Sequence, residues 1–182
     1  FTVEQFKHMV GNGIPKLVER FAPEGARDEA TLKEALEQFS VRYDAHKEDK
    51  TAPYPGMVDC IARLKAAGVN MAVLTNKADP MARPVVNAYY PGLFPTVQGA
   101  LPGMPTKPDP TLLHKLMERM NATRENTLFV GDSNVDIRTA KNGGLTGCGV
   151  LWGFRSRQEL ETEGADVLVQ TPEELERVIL GQ

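Results

Sequence analysis

The chain has 182 residues, 41% of them hydrophobic and 25% charged, and a formal net charge of −3. A mildly acidic chain of pI about 5.7 has no basic footprint for nucleic acid, and no apolar run reaches the roughly 20 residues of a membrane span. Cys60 and Cys148 fit no CxxC or metal-ligand spacing and no signal-peptide pattern opens the sequence, so a cytoplasmic protein with two free thiols is expected.

The first fifty residues read as helical. Thr2-Val3-Glu4-Gln5 is a capping-box pattern, and Phe6, Met9, Val10, Ile14, Leu17, Val18 and Phe21 recur near the helical period. Gly11, Gly13 and Pro15 interrupt that run, and a break falls at Pro23-Glu24-Gly25. A second helix is predicted from Asp28 to Lys47, with Leu32, Leu36, Phe39 and Tyr43 on one stripe. After Pro53-Tyr54-Pro55-Gly56 the pattern changes to alternating strands and helices. Helices are predicted at Met57–Ala67, Asp79–Tyr89 (with Pro84 as an end or a kink), 109–120, Val135–Asn142, after Ser156 and after Thr171. Strands are predicted at Val69–Thr75, Thr96–Ala100, Thr127–Asp132, Cys148–Trp152 and Asp166–Val169, with Gly143, Gly144 and Gly147 forming a turn. Near-continuous apolar strands alternating with helices imply an α/β fold with a parallel sheet covered on both faces.

In such sheets ligands sit at the carboxyl ends of strands, and Thr75 and Asp132 both fall there. Thr75-Asn76-Lys77 offers a hydroxyl and main-chain N–H groups before a helix, which suits a phosphate; taken alone it reads as a turn that caps the helix. Lys107, between a Gly/Pro-rich loop and a helix start, can neutralise a phosphoryl oxygen; in isolation it reads as a surface lysine. Asp132 ends a buried strand, and Asp136 follows in the first helical turn. Two hard carboxylates there suit Mg²⁺, while Ser133 and Asp136 also fit a capping box. Gly11-x-Gly13 lacks the preceding strand and third glycine of a dinucleotide fingerprint. His8, His46 and His114 are scattered.

Taken in order, Thr75-Asn76, Lys107-Pro108 and Gly131-Asp132-Ser133-Asn134-Val135-Asp136 resemble motifs two, three and four of the haloacid dehalogenase superfamily. The segment from Val10 to Arg20, Tyr54-Pro55-Gly56 and Trp152-Gly153-Phe154-Arg155 look like its phosphoglycolate phosphatase branch. The resemblance implies a Rossmann-like parallel-sheet core, residues 52–182, and a small α-helical cap subdomain, residues 1–51. It implies a Mg²⁺-dependent phosphatase of a small phosphorylated metabolite, with 2-phosphoglycolate foremost. Thr75, helped by Asn76, would bind the transferring phosphoryl group, and Lys107 would neutralise it. Asp132 would bind Mg²⁺; Asp136 would bind it directly or orient its waters and Lys107. Gly11, Asn12 and Gly13 would lie near the surface with which the cap closes over substrate. No nucleic-acid or membrane partner is expected, and the assembly is read as a monomer or homodimer.

One departure is large. The first motif of that superfamily, an Asp-x-Asp-x-Thr after an apolar strand, supplies the nucleophile and the general acid/base, and it is absent here. Asp49 follows a polar stretch and Asp59 lies within a helix, so neither replaces it. The missing strand would be central, between those ending at Thr75 and Asp132, and its neighbours would lose their ladder partners without it. A segment outside this sequence, which begins at Phe1, is therefore expected to carry it, and residues 1–182 alone are expected to show no turnover. A phosphosugar mutase or pyrophosphatase of the same superfamily, and a non-catalytic phosphate-binding module, are the alternatives.

Overall fold

Helix caps read from the sequence set several of the element boundaries, and the computed structural model, which describes residues 1–181, shows them in place. The chain divides into two compact units, Phe1–Pro53 and Tyr54–Gln182.

The first unit is helical: α1 (Val3–Met9), α2 (Ile14–Phe21), a 3-10 turn at Glu24–Ala26, and α3 (Glu29–His46). Thr2 Oγ1 accepts from Gln5 N–H at 3.2 Å and Gln5 Oε1 accepts from Thr2 N–H at 2.8 Å, which closes the box read from the sequence. Asp28 Oδ1 accepts from Thr31 N–H at 3.0 Å and starts α3. Leu17 and Val18 of α2 are buried, and Phe21, Phe39 and Tyr43 form an aromatic row with centroids 6.0 and 5.8 Å apart. No residue of α3 is fully buried, so its predicted stripe is only half covered within this unit.

The second unit alternates helices and strands: α4 (Met57–Ala66), β1 (Ala72–Ala78), α5 (Asp79–Tyr89), β2 (Thr96–Ala100), α6 (Thr111–Met120), β3 (Leu128–Gly131), α7 (Asn134–Gly143), β4 (Thr146–Val150), α8 (Arg157–Thr162), β5 (Val167–Val169) and α9 (Pro172–Leu180). Every strand pairing is parallel, as expected for an α/β fold. The strands form two groups, β1-β2 and β3-β4-β5. Leu74 of β1 packs on the apolar cluster that contains Phe129 of β3, with Leu113, Met117, Ala140 and Leu145 from the α6 and α7 regions. β1 and β3 therefore share a core without sharing a ladder among the described residues. No described helix is long and apolar enough to cross a membrane.

Some boundaries differ from the sequence reading. β1 starts at Ala72 rather than Val69 and runs past Thr75 to Ala78. Val69 is instead the last residue of a Schellman cap: its N–H bonds to Leu64 C=O, and Gly68 N–H, at φ +82°, bonds to Lys65 C=O. β4 starts two residues early, so Gly147 is in the strand and not in a turn. A side chain at Gly149 would come within 2.7 Å of Leu168, so the small residues of β4 make room for packing across it. α5 continues through Pro84 to Tyr89. α6 starts at Thr111, and Asp109 caps it from one position farther out, with Oδ1 accepting from Thr111 N–H at 2.9 Å.

Leu64, 1% exposed, lies at the centre of the cluster under α4, with Cys60, Ile61, Val69, Met71 and Phe94 around it. Leu64→Ala is expected to cost about 3 kcal/mol, read from the urea midpoint, because the site cannot collapse onto the cavity.

Candidate active site

The carboxyl half of β1 leaves the ladder where the motif lies. Its register runs Leu74↔Gln98 and then Ala78↔Ala100, so β1 carries extra residues, Thr75 to Lys77, between those pairings. Thr75 Oγ1 accepts from Lys77 N–H at 3.1 Å within this bulge. Asp79 closes it: Oδ1 accepts from Gly99 N–H at 2.8 Å, and Arg83 Nε–H donates to Oδ2 at 3.0 Å. A side chain at Gly99 would meet Lys77 C=O at 2.7 Å, so β2 comes this close only because residue 99 is glycine.

From the bulge the Asn76 side chain reaches the loop before α6. Its Oδ1 accepts from Lys107 N–H at 2.9 Å, and its Nδ2–H donates to Lys107 C=O at 3.0 Å. The next residue is held from another side, where Asn142 Nδ2–H donates to Pro108 C=O at 2.9 Å. The Lys107 ammonium donates to Asp136 Oδ1 at 2.6 Å and lies 5.7 Å from the centroid of the Phe129 ring.

β3 ends at Gly131, and Ser133 starts α7. A side chain at Gly131 would overlap that of Asp136, so glycine lets this carboxylate fold back over the strand end. Asp136 is 7% exposed and engaged on both oxygens: Oδ2 accepts from Ser133 N–H at 3.1 Å and from Ser133 Oγ–H at 2.6 Å, while Oδ1 accepts from the Lys107 ammonium. The capping box and the ion pair thus coexist on one carboxylate. Asp132 Oδ2 accepts from Phe154 N–H at 3.2 Å. Burial, and then the neighbouring Asp136 charge, push the Asp132 carboxyl above the usual carboxylate range, against the opposing pull of the Phe154 N–H and the Lys107 ammonium.

This is the chemistry of a hard-cation ligand: a half-buried carboxylate whose negative charge is under-compensated. Among the described residues no three His, Cys, Asp or Glu side chains converge. Mg²⁺ does not require that, since one or two carboxylates with water and substrate phosphate suffice. Asp132 fits such a role.

The structure gathers Thr75, Asn76, Lys107, Asp132 and Asp136 in the α/β unit. Gly11, Asn12 and Gly13 belong to the helical unit, in the loop before α2. There Arg20 reaches back, Nη1–H donating to Met9 C=O and Nη2–H to Asn12 Oδ1, both at 2.7 Å. Sequence reasoning missed three supports. Asn142 carries no signal. Gly153 and Phe154 lay in a segment noted for its family likeness, yet their contact with Asp132 has no pattern of its own. A side chain at Gly153 would overlap Asp132, whereas nothing lies within 4 Å of one at Gly25. Gly153→Ala is expected to destabilise the protein by about 2 kcal/mol, while Gly25→Ala stays within about 0.5 kcal/mol; thermal melts of the two variants check this.

The α/β unit thus carries Thr75 in the carboxyl half of β1, Lys107 in the loop before α6 and the half-buried Asp132 just past the end of β3. The haloacid dehalogenase-like hydrolase family model matches residues 1–144, and the chain belongs to that family. It is 31% identical over 172 residues to the phosphoglycolate phosphatase of Pseudomonas putida, covering 92% of this chain and 63% of the relative. It is 31% identical over 184 residues to that of Pseudomonas fluorescens, covering 98% of this chain and 66% of the relative. The chain thus spans about two thirds of the length of these relatives. A crystal structure of a protein assigned as a phosphoglycolate phosphatase from Lactobacillus delbrueckii superposes with a TM-score of 0.92 at 32% identity, over 100% of this chain and 84% of that one.

Proposed function

We propose that the protein is a Mg²⁺-dependent phosphatase of small phosphate monoesters, with 2-phosphoglycolate the leading substrate. The observation that carries this reading is the Lys107–Asp136 pair, fixed beside Asp132 by the Asn76 amide. The names of the relatives support the substrate. Thr75 Oγ–H donates to one phosphoryl oxygen. The Lys107 ammonium neutralises a second, and Asp136 holds that ammonium in place. Asp132 would hold Mg²⁺, which would supply screening of the phosphoryl charge from the attacking group. Gly11, Asn12 and Gly13 contribute to substrate selection.

The nucleophile is proposed to be an aspartate outside residues 1–182, at the end of an extended segment lying between β1 and β3. Its oxygen bonds to phosphorus as the ester P–O bond breaks, and water then cleaves the aspartyl phosphate. Burial supports such an occupant: no residue of β1 is fully buried and Val130 of β3 is 38% exposed, while the middle residues of β2 and β4 are buried. In a finished parallel sheet the inner strands are the buried ones.

The test is orthophosphate release from 2-phosphoglycolate by the complete natural polypeptide and by residues 1–182, each with and without Mg²⁺. Mg²⁺-dependent release by the first alone is expected. Turnover by residues 1–182 alone would remove the external nucleophile. Binding of 2-phosphoglycolate without hydrolysis in both would replace the phosphatase with a phosphate-binding module.

A further inference from the structure

We infer that Asn76 is a positioning residue that acts through Lys107: its side-chain amide stands in for a neighbouring strand and fixes the lysine's main chain. The inference rests on the phosphatase reading for its kinetic consequence but not for its geometry.

In a ladder, a strand neighbour offers one acceptor and one donor to each paired residue. Asn76 offers both from a single side chain, accepting from Lys107 N–H at 2.9 Å and donating to Lys107 C=O at 3.0 Å. The two residues are 31 apart in sequence and in different elements, so this is a tertiary clamp and not a local turn. It exists because β1 bulges after Leu74 and releases Asn76 from the regular pleat. Asn142 fixes Pro108 from α7, and Asp136 fixes the ammonium. Main chain and side-chain tip of Lys107 are thus both held, from two elements, β1 and α7.

The consequence is coupling. Thr75 and Asn76 are adjacent in one bulge, so the clamp sets the threonine hydroxyl and the lysine ammonium at a fixed separation. A planar amide is needed for this. Asp has the shape but would set a carboxylate oxygen against the Lys107 carbonyl. Leu has the same branched skeleton but makes neither bond.

The kinetic test uses Asn76→Leu, Lys107→Met and the double variant in the complete natural polypeptide. Asn76→Leu is expected to lower kcat about 10²-fold, with KM changed by no more than about threefold, because the misplaced group matters most in the transition state. The double variant is expected to be no slower than Lys107→Met. A rise in KM at constant kcat would make Asn76 a substrate contact and overturn the inference. Additive losses in the double variant would also overturn it, since they mean a role independent of Lys107.

The second test needs no activity. In the complete natural polypeptide, hydrogen exchange at the Lys107 amide is expected to accelerate in Asn76→Leu, with exchange in β4 unchanged. Unchanged protection at Lys107 overturns the inference even if the phosphatase reading stands. Lost protection sustains the clamp even if no substrate is hydrolysed.

Discussion

Lys107→Met is expected to lower kcat of the complete polypeptide by about 10³-fold, the scale on which one pre-set charge partner of a transition state acts. It is also expected to lower stability by about 3 kcal/mol, because it strands the partner. The side chains of Lys107 and Asp136 are only 13% and 10% exposed, and they meet at 2.6 Å. Methionine keeps the stem packed toward the Phe129 ring but leaves the Asp136 oxygen with no cation. The two effects separate in a double variant. Lys107→Met with Asp136→Asn removes the stranded charge, and the Asn can still accept from Ser133. Much of the lost stability should return in a urea titration while the rate stays low. Recovery of rate along with stability would mean that Lys107 matters only as a structural counter-ion.

The residues around this pair show what a sequence can and cannot reveal. Caps were legible because each is written within four residues: Thr2 with Gln5, Ser156 with Glu159, Thr171 with Glu174. The parallel α/β unit was legible because its strands are short apolar runs between amphipathic helices. Strand limits failed where an apolar residue served a different purpose. Val69 reads as a strand start, yet it packs beside Leu64 because a Schellman cap places an apolar residue there. β4 failed in the opposite sense, since Gly147 and Gly149 hide a strand whose small residues are required by Ala140, Leu160 and Leu168 packed against them. In the candidate site the groups themselves were legible, because hydroxyl, ammonium and carboxylate are fixed by residue type. Their supports were not. The Asn76 clamp, the Asn142 bond to Pro108 and the Phe154 N–H on Asp132 each join residues more than twenty apart, and no local spacing encodes such a bond.

Asp132→Asn is expected to make the protein more stable in the absence of divalent cations while removing its response to them. Asp132 is half-buried, lies beside the Asp136 charge, and has its carboxyl pushed above the ordinary range by that burial and that charge. Its ionised form is therefore worse accommodated in the folded chain than in the unfolded one. Below the ordinary carboxylate pKa both states are protonated and the penalty is absent. As pH rises toward the elevated folded value, the unfolded state loses its proton first, and stability falls relative to the variant. Above the elevated value the penalty is constant. Asparagine keeps an acceptor for Phe154 N–H without the charge, so at pH 7 the variant should be the more stable, with the gain vanishing below the ordinary carboxylate range. Millimolar Mg²⁺ should then raise the melting temperature of the wild-type chain and leave that of the variant unchanged, because the cation compensates the charge that the variant lacks. The activity of the complete polypeptide should fall with the Mg²⁺ response. A variant that is less stable without cations, or that still responds to Mg²⁺, would mean that the Asp132 charge is already balanced within the chain and that the cation is held elsewhere. A site poised for a cation carries an energetic cost when it is empty, and that cost makes the cation's place measurable without any substrate.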